Sequence, residues 1–148
     1  MNKIEKLIKE HDSALSTAIV FHKAERTIRS IENQAFKEMD LTPTQFAVLE
    51  TLYSKGDLRI QDLIDRMLAT SGNMTVVIKN MVRDGYIQKE CDPADRRSFL
   101  VSLTEKGRKK METVLPLHIE TIQSIMSVLS TEEQGQLRQI LKKFKDLS

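Results

Sequence analysis

Two adjacent arginines, Arg96 and Arg97, close the run Asp92-Pro93-Ala94-Asp95-Arg96-Arg97. Upstream of them, Thr70, Ser71, Asn73, Thr75 and Val76 crowd into seven positions, followed by Lys79 and Arg83. These residue types suit recognition rather than bond-making. A guanidinium donates in pairs to phosphate oxygens and base edges, and a carboxamide matches the adenine edge. Thr and Val methyls pack against a thymine methyl. No Gly-rich phosphate loop, Ser/His/Asp arrangement or paired-carboxylate site accompanies them, so catalysis is not expected.

The surrounding pattern says how such groups would be held. After a brief extended piece, Leu58-Arg59-Ile60, apolar residues at Leu63, Ile64 and Met67 predict a short helix over 61–68. Thr70 or Ser71 can cap a second helix running to about Asp84, and Gly85 can take the left-handed conformation that ends it. Met74, Val77, Ile78, Met81 and Val82 form its inward stripe, which leaves Asn73, Thr75, Val76 and Lys79 outward. Tyr86-Ile87-Gln88-Lys89-Glu90 and Phe99-Leu100-Val101-Ser102-Leu103 then read as two strands, with residues 92–97 as their loop. In the second strand Phe99, Val101 and Leu103 share a side. Helix, turn, helix and a basic-tipped hairpin together predict a winged DNA-reading module over 41–104.

In that arrangement the helix beginning near Thr70 would read bases through its first two turns. Asn73 would face adenine, and Thr75 and Val76 thymine methyls. Thr70, Ser71 and the free N–H groups beside them would meet a phosphate, as would Lys79 and Arg83 further along. Arg96 and Arg97 suit a narrow, electronegative minor groove. Asp95 has no place against DNA and is read as a brace, orienting one of the arginines or tying the loop to a neighbouring helix.

The remaining chain must hold this module. Residues 4–36 contain no Gly or Pro and carry apolar residues at helical spacing, predicting one long helix. Leu41-Thr42-Pro43-Thr44-Gln45 has a cap, a proline at the first helical position and a capping-box glutamine. The helix it opens should turn Phe46, Val48, Leu49, Leu52 and Tyr53 inward and stop near Gly56. Thr104 should cap a helix running to about Leu129 and bent by Pro116. Ser130-Thr131-Glu132-Glu133 is a further capping box, before a last helix with Leu137, Ile140, Leu141 and Phe144 on one face. The apolar faces of the outer helices, in 1–40 and 105–148, call for partners within the chain and on a second copy.

Composition sets the bounds. With 148 residues the chain is long enough for one domain with a full core. At 40% apolar and 30% charged it reads as globular and leans helical, and no apolar run approaches a bilayer span. Cytoplasm is the expected compartment and no membrane association is expected. The net charge of +2 is too small to mark a nucleic-acid binder unless the charge is focused on one surface. The single cysteine, Cys91, excludes an intrachain disulfide and a multi-cysteine zinc site. His11, His22 and His118 show no ligand spacing, so no metal and no cofactor are expected. The Met residues, among them Met67, Met74, Met81, Met111 and Met126, suit core gaps.

Four stretches come in order and at matching spacing: Leu41-Thr42-Pro43-Thr44-Gln45-Phe46, Met81-Val82-Arg83-Asp84-Gly85-Tyr86-Ile87, Asp92-Pro93-Ala94-Asp95-Arg96-Arg97 and Leu103-Thr104-Glu105-Lys106-Gly107. Together they resemble the MarR (multiple antibiotic resistance regulator) family of bacterial transcription factors, over nearly the whole chain. The resemblance implies a mainly α fold with a small β-hairpin wing, a winged helix-turn-helix joined to a helical dimerisation region. It implies a homodimer on a pseudo-palindromic double-stranded operator, most often a repressor, released by a small aromatic or lipophilic effector or by cysteine oxidation. By analogy with the family's pocket, Ile19, His22, Phe46, Leu49 and Tyr53 are candidate effector-lining residues.

The departures bear on specificity. Gln88-Lys89-Glu90-Cys91 stands where the family commonly has arginine, which leaves Lys89 as that strand's DNA contact. Glu90 is then expected to point away or to pair with Arg97 or Lys89. Val76 replaces a frequent basic residue. Arg59 replaces a small capping hydroxyl and is expected to contact backbone phosphate instead. Redox members carry their sensing cysteine near the N-terminus, where this chain has none, so Cys91 is not expected to be a switch. The alternative function is a winged-helix protein–protein module that has lost specific DNA binding.

Overall fold

In a computed structural model of the chain, residues 1–67 and 71–147 are described. Thr70 and the side chains of Ser71 and Gly72 lie outside the described residues, and so does the expected cap there. The order is α1 (Lys3–Glu10), α2 (Asp12–Glu38), α3 (Pro43–Lys55), β1 (Leu58–Arg59), α4 (Ile60–Met67), α5 (Ser71–Arg83), β2 (Ile87–Asp92), β3 (Asp95–Leu103), α6 (Glu105–Met126) and α7 (Thr131–Lys142), with a closing 3₁₀ turn, Lys143–Leu147.

Local chemistry sets most boundaries. Asn2, Thr42, Thr104 and Ser130 each accept a backbone N–H three residues on, and Glu5, Gln45 and Glu133 complete capping boxes. The bonds from the Ser130 N–H and hydroxyl hold the Glu133 carboxyl below its ordinary range. Helices α2 and α5 end in the same Schellman geometry. The Leu41 N–H donates to Phe36 O and that of Asp40 to Lys37 O, just as Tyr86 donates to Met81 O and Gly85 to Val82 O. The left-handed position is Gly85 in one (φ 81°) and Asp40 in the other (φ 58°).

The expected single helix over 4–36 is two. It breaks at His11 (φ −114°, ψ 20°), where His11-Asp12-Ser13 brings three weak helix formers together. Helix α6, expected to reach about Leu129, ends at Met126 and is continuous through Pro116.

A three-stranded antiparallel sheet has the order β1-β3-β2, so the brief extended piece at Leu58 is its third strand. The hairpin is tighter than the expected loop over 92–97. Its strands run to Asp92 and back from Asp95, leaving Pro93-Ala94 as the turn. The ladder is also bulged: Cys91 faces Phe99 but Asp92 faces Asp95, so Arg96, Arg97 and Ser98 have no opposite residue on β2.

Every fully buried apolar side chain described lies between Phe36 and Val114. Phe46, Val48, Leu49 and Leu52 from α3, Leu63 and Ile64 from α4, Met74, Ile78 and Met81 from α5, and Ile87, Val101, Met111 and Val114 form one cluster. Tyr53 and Val82, expected inward, are partly exposed, and the Arg108 guanidinium carbon sits 5.6 Å from the Tyr53 ring centre. Phe99 is likewise exposed, with Lys89 Nζ 4.2 Å above its ring. Helices α1 and α7 bury no residue.

Candidate nucleic-acid interface

Helix α5 is sharply two-faced. Met74, Ile78 and Met81 are buried, whereas Asn73, Thr75, Val76, Lys79 and Arg83 are exposed. Val76 is 57% exposed, an apolar side chain left on an otherwise polar face. Arg83 Nε lies 3.1 Å from Asp84 Oδ1 but keeps most of its surface in solvent. A helix with this division keeps one face for its own core and leaves the other to contact the floor of a groove.

The far end of α5 is fastened to the start of α6. Thr104 Oγ1 donates to Gly85 O (2.5 Å) and accepts from Gly107 N (3.1 Å). Lys106 Nζ donates to Asp84 O at 2.6 Å, a cation on the negative end of the helix. At Gly107 there is no room for a side chain: a Cβ would land on the Tyr86 carbonyl oxygen. That is the physical content of Leu103-Thr104-Glu105-Lys106-Gly107.

The wing tip is braced by its carboxylates. Asp92 Oδ1 accepts from Ala94 N (2.9 Å), and Asp95 Oδ1 accepts from Arg97 N (3.0 Å). Ser98 Oγ donates to Asp95 Oδ2 and the Cys91 thiol to Arg96 O, each at 3.3 Å. Arg96 and Arg97 therefore project from a bulge whose backbone is tied down, and both are exposed. Among the described residues, Asp95 engages the Arg97 backbone rather than a guanidinium, and ties the tip to no helix. The tie to the rest of the module comes from Asp92, which sequence reasoning missed. Its Oδ2 receives Arg59 Nε at 2.7 Å. Asp92 is buried, and its carboxyl is held below the ordinary range chiefly by the Ala94 N–H, with Arg59 adding to the effect against the cost of burial. Arg59, expected against phosphate, is thus engaged within the protein. An aspartate just before Pro-Ala could have been read as an Asx turn, but nothing local in sequence pairs it with Arg59.

Glu90 is exposed and pairs with neither Arg97 nor Lys89, among the described residues. Its row of the sheet, Arg59–Leu100–Glu90, is the opposite face from Lys89. The basic run at the start of α6 is largely occupied: Lys106 and Lys110 flank Tyr86, Arg108 lies over Tyr53 and Lys109 approaches Glu105.

The five candidate effector residues are not brought together. Leu49 is fully buried and Phe46 nearly so, the latter packed at a tilt against the rings of Phe36 and His118, while Ile19, His22 and Tyr53 are exposed. A cleft of about 970 Å³ lies between α2 and α6 and is lined by none of them. Among the described residues no His, Cys, Asp and Glu side chains cluster as a metal site, and no helix is long and apolar enough to cross a membrane.

A sequence model of the MarR family matches residues 41–99. The HTH-type transcriptional regulator YkoM of Bacillus subtilis (strain 168) is 38% identical over 134 residues, 90% of this chain and 87% of YkoM. The chain belongs to the MarR family. A MarR-like transcription regulator of Bacillus cereus ATCC 10987 superposes with a TM-score of 0.80 at 28% identity, covering 93% of this chain and 97% of that one. BpsR of Bordetella bronchiseptica, whose DNA binding is regulated by 6-hydroxynicotinic acid, has a TM-score of 0.77 at 26% identity, covering 87% and 98%. This MarR-family chain is a transcriptional regulator with a DNA-binding winged helix, in a family of regulators rather than enzymes. Its wing is the β2–β3 hairpin.

Proposed function

We propose that the protein is a homodimeric repressor that binds a pseudo-palindromic operator and leaves it on binding a small aromatic or lipophilic molecule. The observation that carries the DNA reading is the division of α5, apolar face buried and Asn73, Thr75, Val76 and Lys79 exposed, beside a wing that exposes Arg96 and Arg97. Asn73, Thr75 and Val76 read bases, Lys79, Arg83 and Lys89 meet phosphates, and Arg96 and Arg97 take the minor groove. Ser71 and Thr70 complete the phosphate contacts at the helix start.

Dimerisation is supported by the apolar side chains that the single chain leaves in solvent on its outer helices: Ile4, Ile8, Ile19 and Phe21 at one end, Ile140 and Phe144 at the other. The effector reading is supported by the α2–α6 cleft, which mixes Ile31, Ala35, Met39 and Leu117 with Thr113 and Lys110. In BpsR, a structural neighbour, DNA binding is regulated by an aromatic acid, 6-hydroxynicotinic acid.

Gel-shift titration on the DNA upstream of its own gene tests the proposal. Specific binding should fall steeply with salt through counterion release, and an aromatic acid should shift the retarded band back to free DNA. Equal affinity for random DNA would favour the second reading, a protein–protein module. The exposed Val76 and the unpaired carboxylate of Glu90 on the wing lend that reading its support.

A further inference from the structure

The Arg59–Asp92 pair is unlike every other ion pair among the described residues. The other four join side chains four or fewer positions apart on exposed surfaces, whereas this one spans 33 positions and ends on a buried carboxylate. With strand order β1-β3-β2, Arg59 must reach across β3 to find Asp92. Directly across the sheet from Arg59 lie Leu100 and then Glu90. The guanidinium passes Glu90, the nearer carboxylate in register, and takes Asp92 two residues closer to the wing tip.

That choice has a mechanical consequence. The backbone ladder between β1 and β3 consists of two pairings, Leu58 with Val101 and Arg59 with Leu100. Beyond Leu100 the wing is a two-stranded ribbon, interrupted by the bulge at Arg96, Arg97 and Ser98. Two-stranded ribbons twist more than wider sheets, and a bulge adds a bend. The Arg59 side chain extends the restraint of the third strand to the point where that ribbon turns. The other oxygen of Asp92 holds Ala94 N, so one carboxylate fixes both the turn and its tilt. At the other end, Arg59 is followed directly by Ile60, the first residue of α4, which leads to α5.

We propose that Arg59 and Asp92 are a positioning pair, setting the angle of the wing against the helix-turn-helix so that Arg96 and Arg97 reach DNA while α5 occupies its groove. The pair contacts no DNA; it acts through the arginines. This rests on the operator-binding reading above and gives Arg59 a different role from phosphate contact. Asp92 is confined by its partner and by the Ala94 N–H, so the wing meets DNA already oriented.

The test uses the full-length protein carrying Asp92→Asn, Arg59→Met or both. Asn keeps an acceptor for Ala94 N and drops the charge, and Met keeps the length of the arginine stem. Binding is measured by fluorescence anisotropy on the upstream duplex across a salt series, with hydroxyl-radical footprinting and a thermal midpoint for each variant. Each single variant should weaken specific binding about tenfold, and the double variant should be no weaker than either single one. The log–log salt slope should fall in magnitude by the same amount in Asp92→Asn as in Arg59→Met, by about one as in Arg97→Ala, because either change withdraws the wing arginines from the DNA. The footprint should lose protection at the wing flank and keep it where α5 binds. Weakening by Arg59→Met alone, with the slope reduced by about one, would make Arg59 a direct phosphate contact and overturn the proposal. So would wild-type binding by both single variants, or losses that merely track a fallen thermal midpoint. Absence of specific binding by the native protein would remove the operator reading, and this one with it.

Discussion

The winged module and the outer helices are built from the same kinds of side chain, yet they stand differently toward water. Between Leu41 and Val114 the leucines, methionines and valines of α3, α4, α5 and the sheet close on one another, with Leu49, Leu63, Met74 and Met81 wholly out of solvent. On α1 and α7, with equally amphipathic patterns, Ile4, Leu7, Ile8, Leu137, Ile140 and Leu141 remain exposed. Burial of such a side chain contributes about 1.5–3 kcal/mol. The module has collected that contribution inside one chain and the outer helices have not. An amphipathic stripe therefore specifies that a partner exists, not where it is.

The strongest blow to the module half of this contrast is Gly107→Ala. A methyl group cannot share space with the Tyr86 carbonyl oxygen, so α6 must shift from the α5 terminus. A loss of at least about 3 kcal/mol is expected, read as a lowered urea midpoint. Wild-type stability of this variant would show the junction to be pliable.

The outer helices should respond in the opposite way. Ile140→Lys with Phe144→Lys should leave the far-ultraviolet spectrum of the isolated chain nearly intact. The same pair should weaken the proposed self-association at least about a hundredfold, since each side chain is solvent-facing in the single chain. Light scattering over a dilution series measures this, and an unchanged dimer would place the interface elsewhere.

Smaller substitutions sharpen the comparison at its boundary. Thr104→Ala removes one hydroxyl that both caps α6 and holds Gly85, at a cost of about 1–2 kcal/mol in urea unfolding. Asp40→Gly should do the reverse, adding about 0.5 kcal/mol. The left-handed position ending α2 would then be filled as Gly85 fills the one ending α5.

Acid should touch the module through the wing. The folded Asp92 carboxyl titrates below its unfolded value of 3.8, so its stabilising effect is fully present above that pH. It is lost as pH falls through the lower folded value. Asp92→Asn should therefore flatten the thermal midpoint against pH below about 3.8, the effect being small beside the changes above. A parallel curve for the variant would remove Asp92 from the acid response.

Much of this was legible in residue types. Thr42-Pro43-Thr44-Gln45 and Ser130-Thr131-Glu132-Glu133 mark helix starts because cap and box residues sit three apart, within reach of each other in any context. Gly85 marks a helix end because a left-handed residue is cheapest without a Cβ. The exposed face of α5 followed from the apolar spacing opposite it, and with it the candidates Asn73, Thr75, Val76 and Lys79. Harder to read was whatever depends on competition between neighbours. Tyr53 and Val82 sit at the margin of an apolar stripe, where the pattern cannot say how far the core extends. The break at His11 reflects three weak helix formers whose combined effect no single residue announces.

Only the tertiary structure decided where Arg59 turns, because Asp92 is remote in sequence and Glu90 lies nearer in register. It alone showed that Arg96 and Arg97 stand on a bulge, since strand register depends on both strands at once. It also separated Leu49 and Phe46 in the core from Ile19 and His22 in solvent, although all four share the apolar or aromatic character of a pocket wall. Sequence by itself determined most of the elements, the caps at Thr42, Thr104 and Ser130 and the outward face of α5, because these follow from contacts within four residues. The folded chain decided which charge holds which, because a charge pairs with whatever the packing brings within reach.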